Sequence, residues 1–284
     1  MDIGGRAYLR FTGTPANSGS IRLRFRRHII SEMSRKIHIS AVVLTRDNAT
    51  VIERCLTSVR WAEEVVVIDD FSVDKTVGIA KKFGGRIFRR HLNNDWAAQR
   101  NFALRQAQGK WVLFIDSDEV VSPALRDEIL NLQFTIYNQF SSFKIQRRDV
   151  LWGRKLKYGE SGNIKLLRLA KRSAGKWQRA VHEYWDVKGR VGTLKNELVH
   201  YPHQTLKQFI TQINFHSSLH AKENAKEGKK SSIIKIITYP VFKFFLNYIL
   251  RLGLLDGIHG FVAAAIMSWH SFIAWSKMYI WQKN

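Results

Sequence analysis

An α/β fold, with a mostly parallel sheet covered on both faces by helices, is predicted by three observations. Short β-branched runs alternate with segments of helical spacing from residue 37 to residue 132. Two of those runs end in acidic clusters, and the segment 231–281 is rich in Ile, Phe, Leu, Tyr and Trp.

The elements follow in order. Ile37–Thr45 (IHISAVVLT) has strand length, and Val51, Ile52, Cys55, Leu56 and Val59 then recur at helical spacing. Glu64–Asp70 (EVVVIDD) is a second strand. Ser72 is placed to cap a helix from Asp74 to Phe83, which Gly84-Gly85 ends. A short strand at Arg86–Arg90 and a helix over Trp96–Gln108 lead to Trp111–Asp116 (WVLFID), a fourth strand. Ser122-Pro123 supplies an N-cap and a first-turn proline to a helix reaching Leu132. From Phe143 to Tyr201 short strands and loops suit a mixed-sheet half, and Gln204–Glu227 reads as an amphipathic helix. The expected organisation is a basic extension over 1–36, with translation alternatively starting at Met33. A catalytic domain over 37–202 (halves 37–125 and 126–202) and a helical region over 203–284 follow. Arg-rich, acid-poor residues 1–36 lack the apolar core of a secretory signal.

Composition bounds the partners. The 284-residue chain has 46 Lys and Arg against 23 Asp and Glu, a net charge of +23. Such a field favours an anionic partner: nucleic acid, an acidic membrane surface or a phosphorylated substrate. The single cysteine, Cys55, excludes an intramolecular disulfide framework and a Cys-based zinc site. Nucleic acid is the weaker partner, because no zinc-knuckle or RNP-type pattern is present and the positive charge is spread along the chain.

Chemistry in an open parallel sheet sits beyond the carboxyl ends of its strands. Asp69-Asp70 ends the second strand and Asp116-Ser117-Asp118-Glu119 the fourth. Alternation along an extended backbone sends Asp116 and Asp118 to one side. Two hard carboxylates there suit Mg²⁺ or Mn²⁺ shared with a diphosphate. For an isolated D-x-D, capping of the next turn is the ordinary account; a second acidic strand end shifts the balance to a metal site.

The pieces SAVVLTRDNATVIERCLTSV, EVVVIDDFSVDKTVGIA, WAAQRNFAL, GKWVLFIDSDEVVSPALRDEI, RAVHEYW and RLGLLDGIHGF, in that order, resemble the GT-A glycosyltransferases of family 2. Among these the chain looks most like the β-1,4-glucosyltransferases of the bacterial lipopolysaccharide inner core. The resemblance implies that Asp69 reads the uracil of a UDP-sugar and Thr45 lines that pocket. Gln99, Arg100 and Asn101 match a Q-[RK]-N that faces nucleotide and sugar. Asp116 would sit near ribose and metal, Asp118 would be the direct ligand of Mg²⁺ or Mn²⁺, and Glu183 of the His182-Glu183 pair would be the general base. Glu160 and Glu119 are rival bases. His182 is a candidate metal ligand, or, like His200, a strand-end histidine satisfied by backbone. Asp47-Asn48 stands where Asn-Glu is usual, and Asp70 where a small Ser is common.

The implied reaction inverts a hexose, glucose by resemblance, onto a lipopolysaccharide or lipid-linked glycan; polyprenyl phosphate is an alternative acceptor. Gly257–Ser276 has bilayer length without Asp, Glu, Lys or Arg, but is diluted by His259, Ser268, His270 and Ser271. Helices lying in or dipping into an anionic membrane surface, at the cytoplasmic face of the inner membrane, are expected over a true span. Two basic groups could serve that field: Arg147, Arg148, Arg154, Lys155 and Lys157 for acceptor phosphates, and Lys226, Lys229 and Lys230 for anionic lipid.

Overall fold

The computed structural model describes residues 38–132, 139–162, 164–202 and 205–283; the basic extension and the predicted helix start at Gln204 lie outside them. Strand β1 (Ile39–Thr45) is buried on both faces, as a central parallel strand must be. It pairs in parallel with β2 (Glu64–Asp69) on one side and β4 (Trp111–Asp116) on the other, while β3 (Arg86–Arg89) extends the sheet beyond β2. Helices α1 (Ile52–Ser58), α2 (Thr76–Lys82) and α3 (Trp96–Gln106) supply the crossovers. The chain runs β1 to β2 to β3 in one direction and then returns to the far side of β1 for β4. That reversal opens a crevice at the carboxyl ends of β1 and β4.

One face of this half packs Val42, Val66, Ile68, Val112 and Phe114 against Ala97, Ala103 and Leu104 of α3. Gly109 must be glycine, because a Cβ there would lie 2.7 Å from the Ser40 backbone nitrogen. The helix starts differ from expectation in one case. Asp95 caps α3 and Ser122 caps α4 (Pro123–Leu130), each accepting an N–H three residues on. Helix α2, however, begins at Thr76 without Ser72 as its cap. The Ser72 hydroxyl accepts the Asp47 N–H instead, and Asp74 bonds the Thr76 N–H.

The second half widens the sheet with β5 (Glu119–Val121), β6 (Ser142–Leu151), β7 (Arg154–Lys155), β8 (Ile164–Lys171) and β11 (Val191–His200), in the order β3-β2-β1-β4-β8-β6-β11-β5 with β7 on β6. Strand β5 was not expected: three residues after the acidic turn pair antiparallel with the end of β11, which brings His200 opposite Glu119. A separate ribbon, β9 (Gly175–Gln178) and β10 (Tyr184–Val187), lays Trp177 and Trp185 edge-on to Phe114, with centroids 5.2 and 5.1 Å away.

Three helices complete the chain. Thr205 and Gln208 form a reciprocal capping box at the start of α5 (Leu206–Lys226). Helix α6 (Ile233–Phe245) carries Pro240 and runs into a wider turn at Leu246–Leu250; after a tight turn at Gly253–Asp256, α7 (Gly257–Lys283) packs back against α5 and α6. The face of α6 and the tip of this hairpin leave Ile234, Ile237, Val241, Phe242, Leu250, Leu255 and Ile258 exposed.

Candidate active site

The acidic rim is assembled around Asp116. Strand register sets Thr45 beside Asp69 and Leu44 beside Asp116, so the two acidic strand ends flank β1, about 10 Å apart. Arg100, on the buried face of α3, donates from Nη2 to Asp116 Oδ1 and from Nε to Glu183 Oε1, both at 2.9 Å. Arg168, on β8, donates to Asp116 Oδ2 at 2.7 Å and to Glu119 Oε1 at 3.2 Å. Glu119 Oε2 in turn accepts the Asp116 N–H. Burial opposes ionisation of Asp116, but the two guanidinium charges outweigh it and hold the carboxyl well below the usual carboxylate range. Burial, with Asp116 adding to it, pushes the Glu119 carboxyl up.

Asp118, two residues further along the same turn, faces His200 of β11. His200 donates from Nε2 toward Asp118 Oδ2 at 3.3 Å and from Nδ1 to Asp149 Oδ1 at 2.7 Å. Burial works against the charged ring, but Asp118 and Asp149 overcome it and push His200 up to about 10. His200 is therefore an imidazolium gripped by two carboxylates, rather than a strand-end ring satisfied by backbone. Below the turn, the Cys55 thiol is buried with Sγ 3.5 Å from the Asp116 carbonyl oxygen.

The remaining expected residues divide. Gln99 bonds both the carbonyl and the guanidinium of Arg90, and Asn101 bonds the N–H and C=O of Trp177. Of the Q-R-N triplet, only Arg100 reaches the acidic rim. Asp69 is fully buried, its carboxylate accepting the Ser72 N–H and facing Arg89 at 3.3 Å. Asp70 takes Arg46 at 2.9 Å and the Leu92 N–H. The Asn48 amide donates to Ser117, joining the first loop to the acidic turn. His182 meets His220, ring centroids 4.7 Å apart, and His220 meets His270 at 5.5 Å, so His182 packs with rings carried by α5 and α7. Glu160, a rival base, pairs with Lys243 at 2.6 Å on the hairpin.

Arg168, Asp149 and the role of His200 escape sequence reasoning. One signal was available: an arginine in the apolar run NIKLLRLA must find an acid if that strand is buried. Among the described residues, the buried polar atoms without a partner at the rim include Thr45 Oγ1, Arg100 Nη1 and Arg168 Nε. Such atoms are costly unless a ligand meets them.

Among the described residues no group of three or more His, Cys, Asp or Glu is arranged to enclose a metal ion. Mg²⁺ and Mn²⁺ with a nucleoside diphosphate ask for less, one or two carboxylates with phosphate oxygens and water completing the shell. Asp118 and Asp116, about a third exposed at the rim, fit that donor set.

Comparison with known proteins bears on the family. The model of glycosyl transferase family 2 matches residues 40–168. A glycosyltransferase of Rickettsia bellii is 30% identical over 256 residues, covering 84% of this chain and 85% of that one. The chain belongs to glycosyl transferase family 2. The enzyme is also similar to the lipopolysaccharide core biosynthesis glycosyltransferase LpsC of Rhizobium meliloti, 28% identical over 254 residues, 86% of this chain and 93% of that one. Its sheet and crossovers form a GT-A fold. Among solved structures, S. aureus TarS 1-349 overlaps it with a TM-score of 0.46 at 14% identity, covering 87% of this chain and 92% of that one.

Proposed function

We propose that this glycosyltransferase moves a hexose, glucose by family resemblance, from a UDP-sugar to a lipopolysaccharide inner-core acceptor with inversion at the anomeric carbon. The observation that carries the reading is the buried Arg100, which ties Glu183 to Asp116 and so holds a candidate base and a candidate metal ligand at opposite ends of one guanidinium. The likeness to LpsC supports the acceptor class.

The chain's own groups suit the steps. Thr45 Oγ1 and Arg100 Nη1, buried and unpartnered, are free to bond the nucleotide and its diphosphate. Asp118 with Asp116 would hold Mg²⁺ or Mn²⁺, which when bound offsets the charge that grows on the departing diphosphate. Glu183 takes the proton of the attacking sugar hydroxyl, a contribution of roughly 10²–10⁴-fold. Its approach from the far side of the anomeric carbon gives inversion. Arg100 keeps the Glu183 carboxylate aimed, and Trp177, with the Arg100 guanidinium 4.7 Å above its ring, keeps Arg100 in place.

The hairpin face and nearby Lys226, Lys229, Lys230 and Lys235 favour seating at the cytoplasmic face of the inner membrane, where a lipid-anchored acceptor would be presented. The helical stretches Ile233–Leu250 and Gly253–Lys283 are long and apolar enough to cross a membrane, but the charged and aromatic residues along them suit a surface orientation.

The test is UDP release by purified full-length enzyme with UDP-glucose, UDP-galactose or UDP-N-acetylglucosamine and a deep-core lipopolysaccharide acceptor, with and without Mn²⁺. Glu183→Gln should lose at least a hundredfold in kcat and Asp118→Asn should abolish the Mn²⁺ response. Full turnover by both variants would overturn the assignment. Mass analysis of a glycosylated polyprenyl phosphate instead of a glycosylated core would transfer the reading to that acceptor.

A further inference from the structure

The sequence RLGLLDGIHG at the hairpin tip has no part in the transfer chemistry, yet it touches the catalytic half with unusual economy. Asp256, 3% exposed, accepts the backbone N–H of Lys157 at 2.9 Å and of Tyr158 at 2.8 Å, about a hundred residues away in sequence. The Arg251 carbonyl accepts the Gly159 N–H at 2.9 Å. Glu160 is held from the other side by Lys243 at 2.6 Å and the Asn247 amide at 3.2 Å. The tip thus grips four successive residues, 157–160.

Two further features show that this grip is built in. A Cβ on Gly260 would sit 2.0 Å from the Gly253 carbonyl oxygen, and one on Gly253 would sit 2.6 Å from that of Asn247, so only glycines let the tip close. Leu252, a bulky residue, is held at φ 59°, in the region that favours glycine. The gripped loop continues into the rim. The Leu156 N–H donates to the Asp149 carbonyl oxygen at 2.8 Å, Asp149 bonds His200, and His200 faces Asp118. Arg148, beside Asp149, donates back to the Lys157 carbonyl at 2.8 Å.

On its outer side the same turn presents Leu250, Leu254, Leu255 and Ile258 to solvent. Lys243 and Arg251 stand beside this turn, and Lys229, Lys230 and Lys235 stand at the far end of the same helical hairpin, beside Trp275 and Gln282. An exposed apolar face with basic residues at both of its ends is complementary to an anionic lipid surface.

We propose that the hairpin tip is a positioning device which transmits lipid seating to the acidic rim. Asp256, with Glu160, holds the loop 156–161, the loop holds Asp149 and His200 behind Asp118, and an anionic bilayer tightens the hold by fixing the tip. The proposal rests on the reading of the hairpin as membrane-seated in a sugar transferase, and deepens it by naming the residues that connect the two.

Hydrogen exchange on the full chain, alone and with vesicles of phosphatidylglycerol and phosphatidylethanolamine, tests it. Vesicles should slow exchange of residues 156–162 at least threefold in the wild type. Asp256→Asn and Glu160→Gln should each speed exchange at Lys157 and Tyr158 about tenfold, carry the effect into 145–151 and 197–201, and remove the vesicle response. Both variants should still sediment with vesicles. Should Asp256→Asn fail to fold by circular dichroism, Glu160→Gln decides. A loop indifferent to vesicles in the wild type, or faster loop exchange that stops short of 145–151 and 197–201, would overturn the proposal. UDP release from UDP-glucose is measured alongside. A wild type inert toward every UDP-sugar rejects the transferase reading, whereas the exchange pattern judges the positioning device by itself.

Discussion

Arg168, which no motif singles out, matches Arg100 in binding two carboxylates of the rim. It is buried and touches two carboxylates, of which Glu119 is shut off from water entirely. Removing one partner from a buried ion network leaves uncompensated charge, typically a loss of 3–5 kcal/mol. Arg168→Met should therefore destabilise the fold by about 3 kcal/mol, with Glu119 limiting the loss by taking up a proton; urea denaturation measures it. His220 behaves oppositely to His200. Burial, and then the charges of His182, His270, Lys229 and Arg179, lower it from 6.5 to about 4. A histidine depressed in the fold contributes stability that is complete above its ordinary value and is lost as pH falls from about 6.5 toward 4. The wild type should lose on the order of 2 kcal/mol across that window through this ring, and His220→Phe should flatten the slope, read from melting temperature against pH.

At the scale of elements, legibility followed range in sequence. Strands β1, β2 and β4 announce themselves because a strand buried on both faces must be an unbroken apolar run, and an acid can follow only where the run leaves the core. Ser122 is legible as a cap because its partner lies three residues away. Ser72 was misread for the complementary reason: its hydroxyl is claimed by the Asp47 N–H, a contact that local sequence does not contain. Strand β5, Arg168 and Asp149 were invisible on the same ground, since each is defined by a partner at least 49 residues distant. The hairpin offers a test in which two effects compete. Gly260→Ala should favour a helix by about 1 kcal/mol from propensity alone. The added methyl would instead meet the Gly253 carbonyl, so the variant should lower the melting temperature and expose the tip to protease.

For the molecule as a whole, the excess of 23 positive charges and the exposed hairpin face act together but respond differently to salt. The Debye length falls from about 10 Å at 0.1 M to about 3 Å at 1 M, so attraction to an anionic surface is screened while burial of apolar side chains is not. Sedimentation with phosphatidylglycerol vesicles should weaken at least tenfold over that range, whereas Leu255→Glu with Ile258→Glu should weaken it about a hundredfold at low salt. If instead the double variant bound vesicles as the wild type does, the hairpin would not be the seat.

The chain's single thiol lies directly behind the acidic rim, its sulfur against the Asp116 carbonyl and its ionisation suppressed by burial. A maleimide or disulfide reagent can therefore react only when β4 and α1 part company. Without any engineered label, the native molecule carries an internal clock for how often the strand that ends in Asp116 comes loose, and a nucleotide that seats against that strand should slow it.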